Sequence, residues 1–77
     1  MRTASNLVAV PKVTREEILR EKTHKEDHLP IGKRVFYTLT GERETAKCLA
    51  LLVETLHARA YLSDDEIDDM LLAVVAG

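Results

Sequence analysis

The sequence predicts a mainly α-helical fold built on a C-terminal antiparallel helical hairpin, about 42–61 and 64–76, with a short N-terminal helix before it and at most one short strand near 33–40. Three observations lead there. Ser63 and Glu66 stand three apart, the capping-box arrangement in which each side chain satisfies a backbone donor left open at a helix start. Apolar residues recur at three- and four-residue spacing on both sides of that break. The length of 77 residues gives room for one small domain, and a single Cys excludes an intrachain disulfide.

Residues 1–12 carry no cap, no helical period and one Pro, so they are expected to form a flexible arm ahead of a domain spanning 13–77, with at most a short extended piece at Leu7 to Val10. The apolar stretch within them is too short for a secretory leader, and no run is long enough to cross a bilayer. A cytoplasmic protein is expected, and an unpaired Cys on a helix agrees with a reducing compartment. Thr14 and Glu17 repeat the capping pattern, flanked by Val13 and Ile18, and predict a helix from Arg15 to about Lys25. Only Ile18 and Leu19 are apolar in it, enough to dock one turn.

Leu29-Pro30-Ile31-Gly32 ends that helix, because Pro30 disfavours helical geometry at the residue before it. Lys33 to Thr40 is rich in β-branched and aromatic residues and reads as a strand, with Val35, Tyr37 and Leu39 on one face and Arg34, Phe36 and Thr38 on the other. A helical turn that packs Val35, Phe36 and Leu39 on the hairpin is the alternative.

In the first hairpin helix, Ala46, Leu49, Ala50, Val53, Leu56, His57 and Ala60 form one stripe; in the second, Ile67, Met70, Leu71, Val74 and Val75 do. Facing each other, these would bury Leu49, Val53, Leu56, Met70, Leu71 and Val74. Leu51, Leu52 and Val75 are then left over. The run Cys48 to Val53 is apolar nearly all round, which a helix with a single neighbour should not be, so a second partner is expected there.

Charge is divided unevenly. Residues 1–41 hold eight Lys or Arg against five Asp or Glu, a net of +3, and residues 42–77 hold three against eight, a net of −5, which together give the chain's −2. An acidic C-terminal half argues against nonspecific nucleic-acid binding, which needs clustered cations.

No constellation carries recognisable chemistry. His24 and His28 would lie one helical turn apart and could supply two metal ligands, but no third ligand accompanies them, so no metal site is assigned. Cys48 and His57, nine residues apart on one helix, point in opposite directions and cannot act as nucleophile and base. His57, on the core-facing stripe, is expected to be partly buried with a satisfied hydrogen bond. Asp64, Asp65, Glu66, Asp68 and Asp69 crowd a helix start, where carboxylates complement the helix dipole, and lack the alternating ligands and Gly of a calcium loop. Gly32, Gly41 and Gly77 are isolated and form no phosphate loop. No cofactor and no enzymatic activity are expected.

A strand at 33–40 followed by two helices, the second capped by Ser63, resembles the ribbon-helix-helix family of dimeric DNA-binding repressors and antitoxins. The resemblance implies that two copies of the strand pair in the major groove, with Arg34, Phe36 and Thr38 facing the bases. The residues themselves favour another reading: a small non-enzymatic interaction module, a homodimeric regulator or inhibitor that docks on another protein through its hairpin. Leu51, Leu52 and Val75 would supply its apolar surface and Asp65, Asp68 and Asp69 its acidic one.

Overall fold

The computed structural model describes residues 14–76. The expected arm at 1–12 and Val13 beside the first cap lie outside the described residues. Four helices follow one another: α1 over 14–22, α2 Ile31–Thr38, α3 Arg43–Ala58 and α4 Asp64–Ala76. The mainly helical expectation holds, and among the described residues there is no strand.

The strand expected at 33–40 is helix α2. Pro30 begins it, in extended conformation, and accepts the Arg34 N–H at 2.9 Å. A Pro at this position loses nothing, since donors at a helix start have no intrahelical acceptor. Thr38, poorly suited to a helix interior, donates its hydroxyl to the Arg34 carbonyl at 2.8 Å. The β preference of Val35, Phe36, Tyr37 and Thr38 is worth at most about 1 kcal/mol per residue, and burial overrides it. Ile31, Val35 and Leu39 recur every four residues, and all three join or flank the core.

Helix α3 starts on a cap that the sequence did not advertise. Glu42 Oε1 accepts the Thr45 N–H at 2.9 Å and its hydroxyl at 2.7 Å, while Oε2 accepts the Glu44 N–H at 3.2 Å. The Thr45 hydroxyl, then the two N–H groups, hold the Glu42 carboxyl below its ordinary value. At its other end α3 stops at Ala58, short of the expected Tyr61. The Tyr61 N–H reaches back to the Leu56 carbonyl at 2.9 Å and the Ala60 N–H to that of His57 at 3.0 Å. This is a Schellman closure, with Ala60 at φ 65° in the left-handed slot that usually falls to Gly. Helix α4 starts as expected, with Ser63 N–H donating to Glu66 Oε1 at 2.8 Å and Glu66 N–H to Ser63 Oγ at 3.1 Å.

The packing differs from two stripes burying each other. Helix α2 is the principal neighbour of α3 and also touches α4, whereas α3 and α4 meet each other sparsely. The core cluster is Val35 from α2, Ala50 and Val53 from α3, and Ile67 and Leu71 from α4. Leu49, Met70 and Val74, expected inside, are exposed, and Leu56 is half-buried. Ala46 and Ala50 let α2 approach α3 closely, so the small residues of α3 are covered and the large ones left out.

A charged seam closes the other side. Arg34 on α2 is 6% exposed; its Nε donates to the Thr23 carbonyl at 2.8 Å and its Nη2 to Thr23 Oγ1 at 2.9 Å. Its Nη1 lies 2.8 Å from Asp68 Oδ1, a close charge pair without a well-directed hydrogen bond to that oxygen. Lys25 pairs with the other oxygen of Asp68. One arginine thus fastens the segment after α1 to α4 across α2, and Leu19 of α1 is buried as well.

Candidate interaction surface

Of the six residues expected to meet a partner, Leu51, Leu52, Asp65 and Asp69 are exposed, and Val75 is half-buried. Asp68 corrects the expectation. It is 2% exposed and serves the seam inside the chain, so it offers no charge to a partner surface. Burial pushes its carboxyl up, but the hydrogen bond from Lys25 and the pairing with Arg34 outweigh this and leave it below the ordinary carboxylate value. Asp69 is exposed but paired within the chain, with Arg15 Nη2 at 2.9 Å.

The residues assigned to DNA contact are also relocated. Arg34 and Thr38 are buried and Phe36 is half-buried against the core, all on a helix. A paired ribbon needs these side chains on the outer face of a strand, so this segment cannot supply it.

Exposed on α3 and α4 are three residues that the sequence placed inside, Leu49, Met70 and Val74, and one that it left over, Leu52. Leu49 is 43%, Leu52 53%, Met70 41% and Val74 58% exposed. At about 100° per residue, Leu49 and Leu52 are turned about 100° and 160° from Ala50, on the side away from Glu54, which abuts α2 at Gly32. Met70 is turned about 160° from Asp68, which faces α1 and α2. Leu49, Leu52 and Met70 therefore look away from those neighbours, whereas Val74 lies about 20° from the direction of Ile67 and is exposed all the same. From 45 to 56 this outer arc of α3 carries Thr45, Cys48, Leu49, Leu52 and Leu56, with no Asp, Glu, Lys or Arg among them. Spacing alone could have found this second stripe, because Leu49, Leu52 and Leu56 also recur at three and four.

Leu51 belongs to a different place. It lines a cleft of about 330 Å³ between α2 and α3, together with Phe36, Tyr37, Lys33, Arg43 and Lys47.

Among the described residues no group of three His, Cys, Asp or Glu is placed to hold a metal ion. His24 and His28 do not share a helical turn; they lie in a non-helical connection, each at φ 56°, and His24 Nδ1 is 2.9 Å from Asp27 Oδ2. His57 is partly buried, with Nε2 2.7 Å from Asp64 Oδ1 across the α3–α4 connection, as its place in the sequence suggested. Cys48 is exposed. No described helix is long and apolar enough to cross a membrane.

Comparison with known proteins finds no matching family model, no matching curated protein and no matching solved structure.

Proposed function

We propose that this chain is a small non-enzymatic interaction module that works as a homodimeric regulator or inhibitor, docking on another protein through α3 and α4. The supporting observation is the uncharged outer arc of α3 together with Met70 and Val74 on α4. Scattered exposed leucines are ordinary, but an uncharged arc of α3 that carries Leu49, Leu52 and Leu56 is the kind of apolar surface that supports association, and Met70 and Val74 add exposed aliphatic side chains on the next helix. The thinness of the core points the same way. Five of the described residues, one of them Ala, make up the buried cluster, and a domain of this size with a single Cys, hence no internal disulfide, commonly gains stability by pairing. The reading places the protein in the cytoplasm and gives it no cofactor.

Light scattering on the full chain tests the dimer. The wild type is expected at twice the monomer mass, and Leu52→Glu, which puts a charge in the middle of the outer arc, at the monomer mass. Equal masses for the two proteins would remove the outer face from the argument.

A further inference from the structure

The cleft between α2 and α3 has its own chemistry, separate from the outer face. Its walls are aromatic and aliphatic: Phe36, half-buried, Tyr37, exposed, and Leu51, exposed, over the buried Ala50. Two of its three cations, Arg43 and Lys47, stand toward the α2–α3 connection. Arg43 lies over the Phe36 ring at 6.0 Å, and Lys47 stands one helical turn further along α3. Lys33 is on the α2 side, toward the far end, where the Glu54 carboxylate rests against Gly32 so closely that an added Cβ would fall 2.7 Å from it.

These cations are uncommitted. Arg15, Lys25 and Arg34 are each paired with Asp68 or Asp69, whereas among the described residues Lys33, Arg43 and Lys47 form no salt bridge. In a chain with a net charge of −2, three unpaired cations on one apolar cleft form a local field of the opposite sign. We infer that this cleft binds an acidic peptide segment of a partner protein: carboxylates at the Arg43 and Lys47 end, an aliphatic side chain seated on Phe36 and Leu51, and a hydrogen-bond donor at Glu54. With both Lys33 and Glu54 toward the far end, the surplus positive charge is confined to Arg43 and Lys47, a distribution that suits nucleic acid poorly. From Arg43 to Glu54 the cleft runs about 16 Å along α3, and a single strand laid over that length would bring a phosphate toward Glu54. A peptide can carry its charge at one end only.

The inference deepens the interaction reading, and rests on it in taking the target to be a protein. The two surfaces occupy different sides of α3, so variants separate them. The probe is a short acetylated peptide of Glu and Leu with two leucines four residues apart, titrated into the isotopically labelled full chain at low salt. Amide shifts should move at Phe36, Tyr37, Lys47 and Leu51, and binding should weaken as salt rises. Arg43→Glu/Lys47→Glu should bind about tenfold more weakly or worse, the loss expected for two exposed charge contacts reversed. Acidic residues near the start of α3 suit its dipole, so this variant should keep its helical circular dichroism. A peptide with Ser in place of Leu should bind poorly, and Leu52→Glu should bind like the wild type even as a monomer. The inference is overturned if the wild type shows no shifts in the cleft, if Arg43→Glu/Lys47→Glu binds undiminished, or if an oligouridylate binds more tightly than the peptide.

Discussion

Asp68 on α4 and the aliphatic residues that the same helix leaves exposed depart in opposite ways from the usual division of labour in a small helical protein. Asp68, an ionised carboxylate with almost no contact with solvent, faces Arg34 and Lys25. Met70 and Val74 stand in water. One carboxylate is thus buried beside the apolar core residues Ile67 and Leu71, while two aliphatic side chains stay outside. A buried ion pair adds little net stability relative to an apolar pair of the same shape, yet it is costly to break. An exposed apolar face adds nothing until something covers it. The seam therefore ties α1, α2 and α4 together, and the exposed aliphatic residues contribute nothing to that within the chain.

The sharpest test of that contrast is at Asp68. Asp68→Ala leaves Arg34 buried without its counter-charge and should cost about 3–5 kcal/mol, a large part of a small domain's stability, as measured by urea unfolding. Arg34→Met/Asp68→Leu, which removes both charges, should unfold later than Asp68→Ala; if it is the less stable of the two, the seam is a source of stability and not only a constraint.

The same group sets a pH dependence. Because the folded chain holds the Asp68 carboxyl below its ordinary value, the unfolded chain binds the proton first as pH falls. Its contribution is fully present above about pH 4 and is lost as the pH drops through the lower folded value. Unfolding free energy followed from pH 7 to pH 2 should decline at the acid end, and Asp68→Asn should flatten that decline.

On the outer arc of α3 the expected effect falls on association instead. Leu52→Glu should weaken dimerisation by about 2–3 kcal/mol while shifting the stability of the isolated chain by less than about 0.5 kcal/mol, because Leu52 has little left to lose within its own fold. A loss of monomer stability comparable to that of Asp68→Ala would erase the distinction between the seam and the exposed residues. Ala60→Gly should be smaller and of opposite sign: relief of the left-handed backbone at φ 65° should raise stability by about 1 kcal/mol. Arg15→Ala, which breaks an exposed pair with Asp69, should leave the thermal midpoint nearly unmoved, in contrast to the buried pair one residue away.

What could be read from the sequence was local. Ser63 with Glu66 placed the start of α4 correctly, since both partners of the cap lie within one turn. Helix α2 was read as a strand because the preferences of Val35, Phe36 and Tyr37 are local too, and they pointed the wrong way. On α3 two stripes share the same spacing, Ala46, Ala50 and Val53 on one side and Leu49, Leu52 and Leu56 on another. The expected stripe merged the two, so Ala46, Ala50 and Val53 are buried as expected while Leu49 is exposed. The seam was out of reach for a different reason: Thr23, Arg34 and Asp68 are distant in the chain, and nothing in the neighbourhood of any one of them announces the others. The exposure of Leu51 and Leu52 agrees with the sequence, which holds no sign that Leu51 lines a cleft with α2.

The fastening of Thr23, Arg34 and Asp68 also limits how this chain can drift. A change at any one of the three strands the others away from water, so tolerated substitutions should come in matched sets, the guanidinium and carboxylate disappearing together or trading places. Related chains, once aligned, should show these columns linked, while the column of Leu52 varies in step with a surface on another molecule.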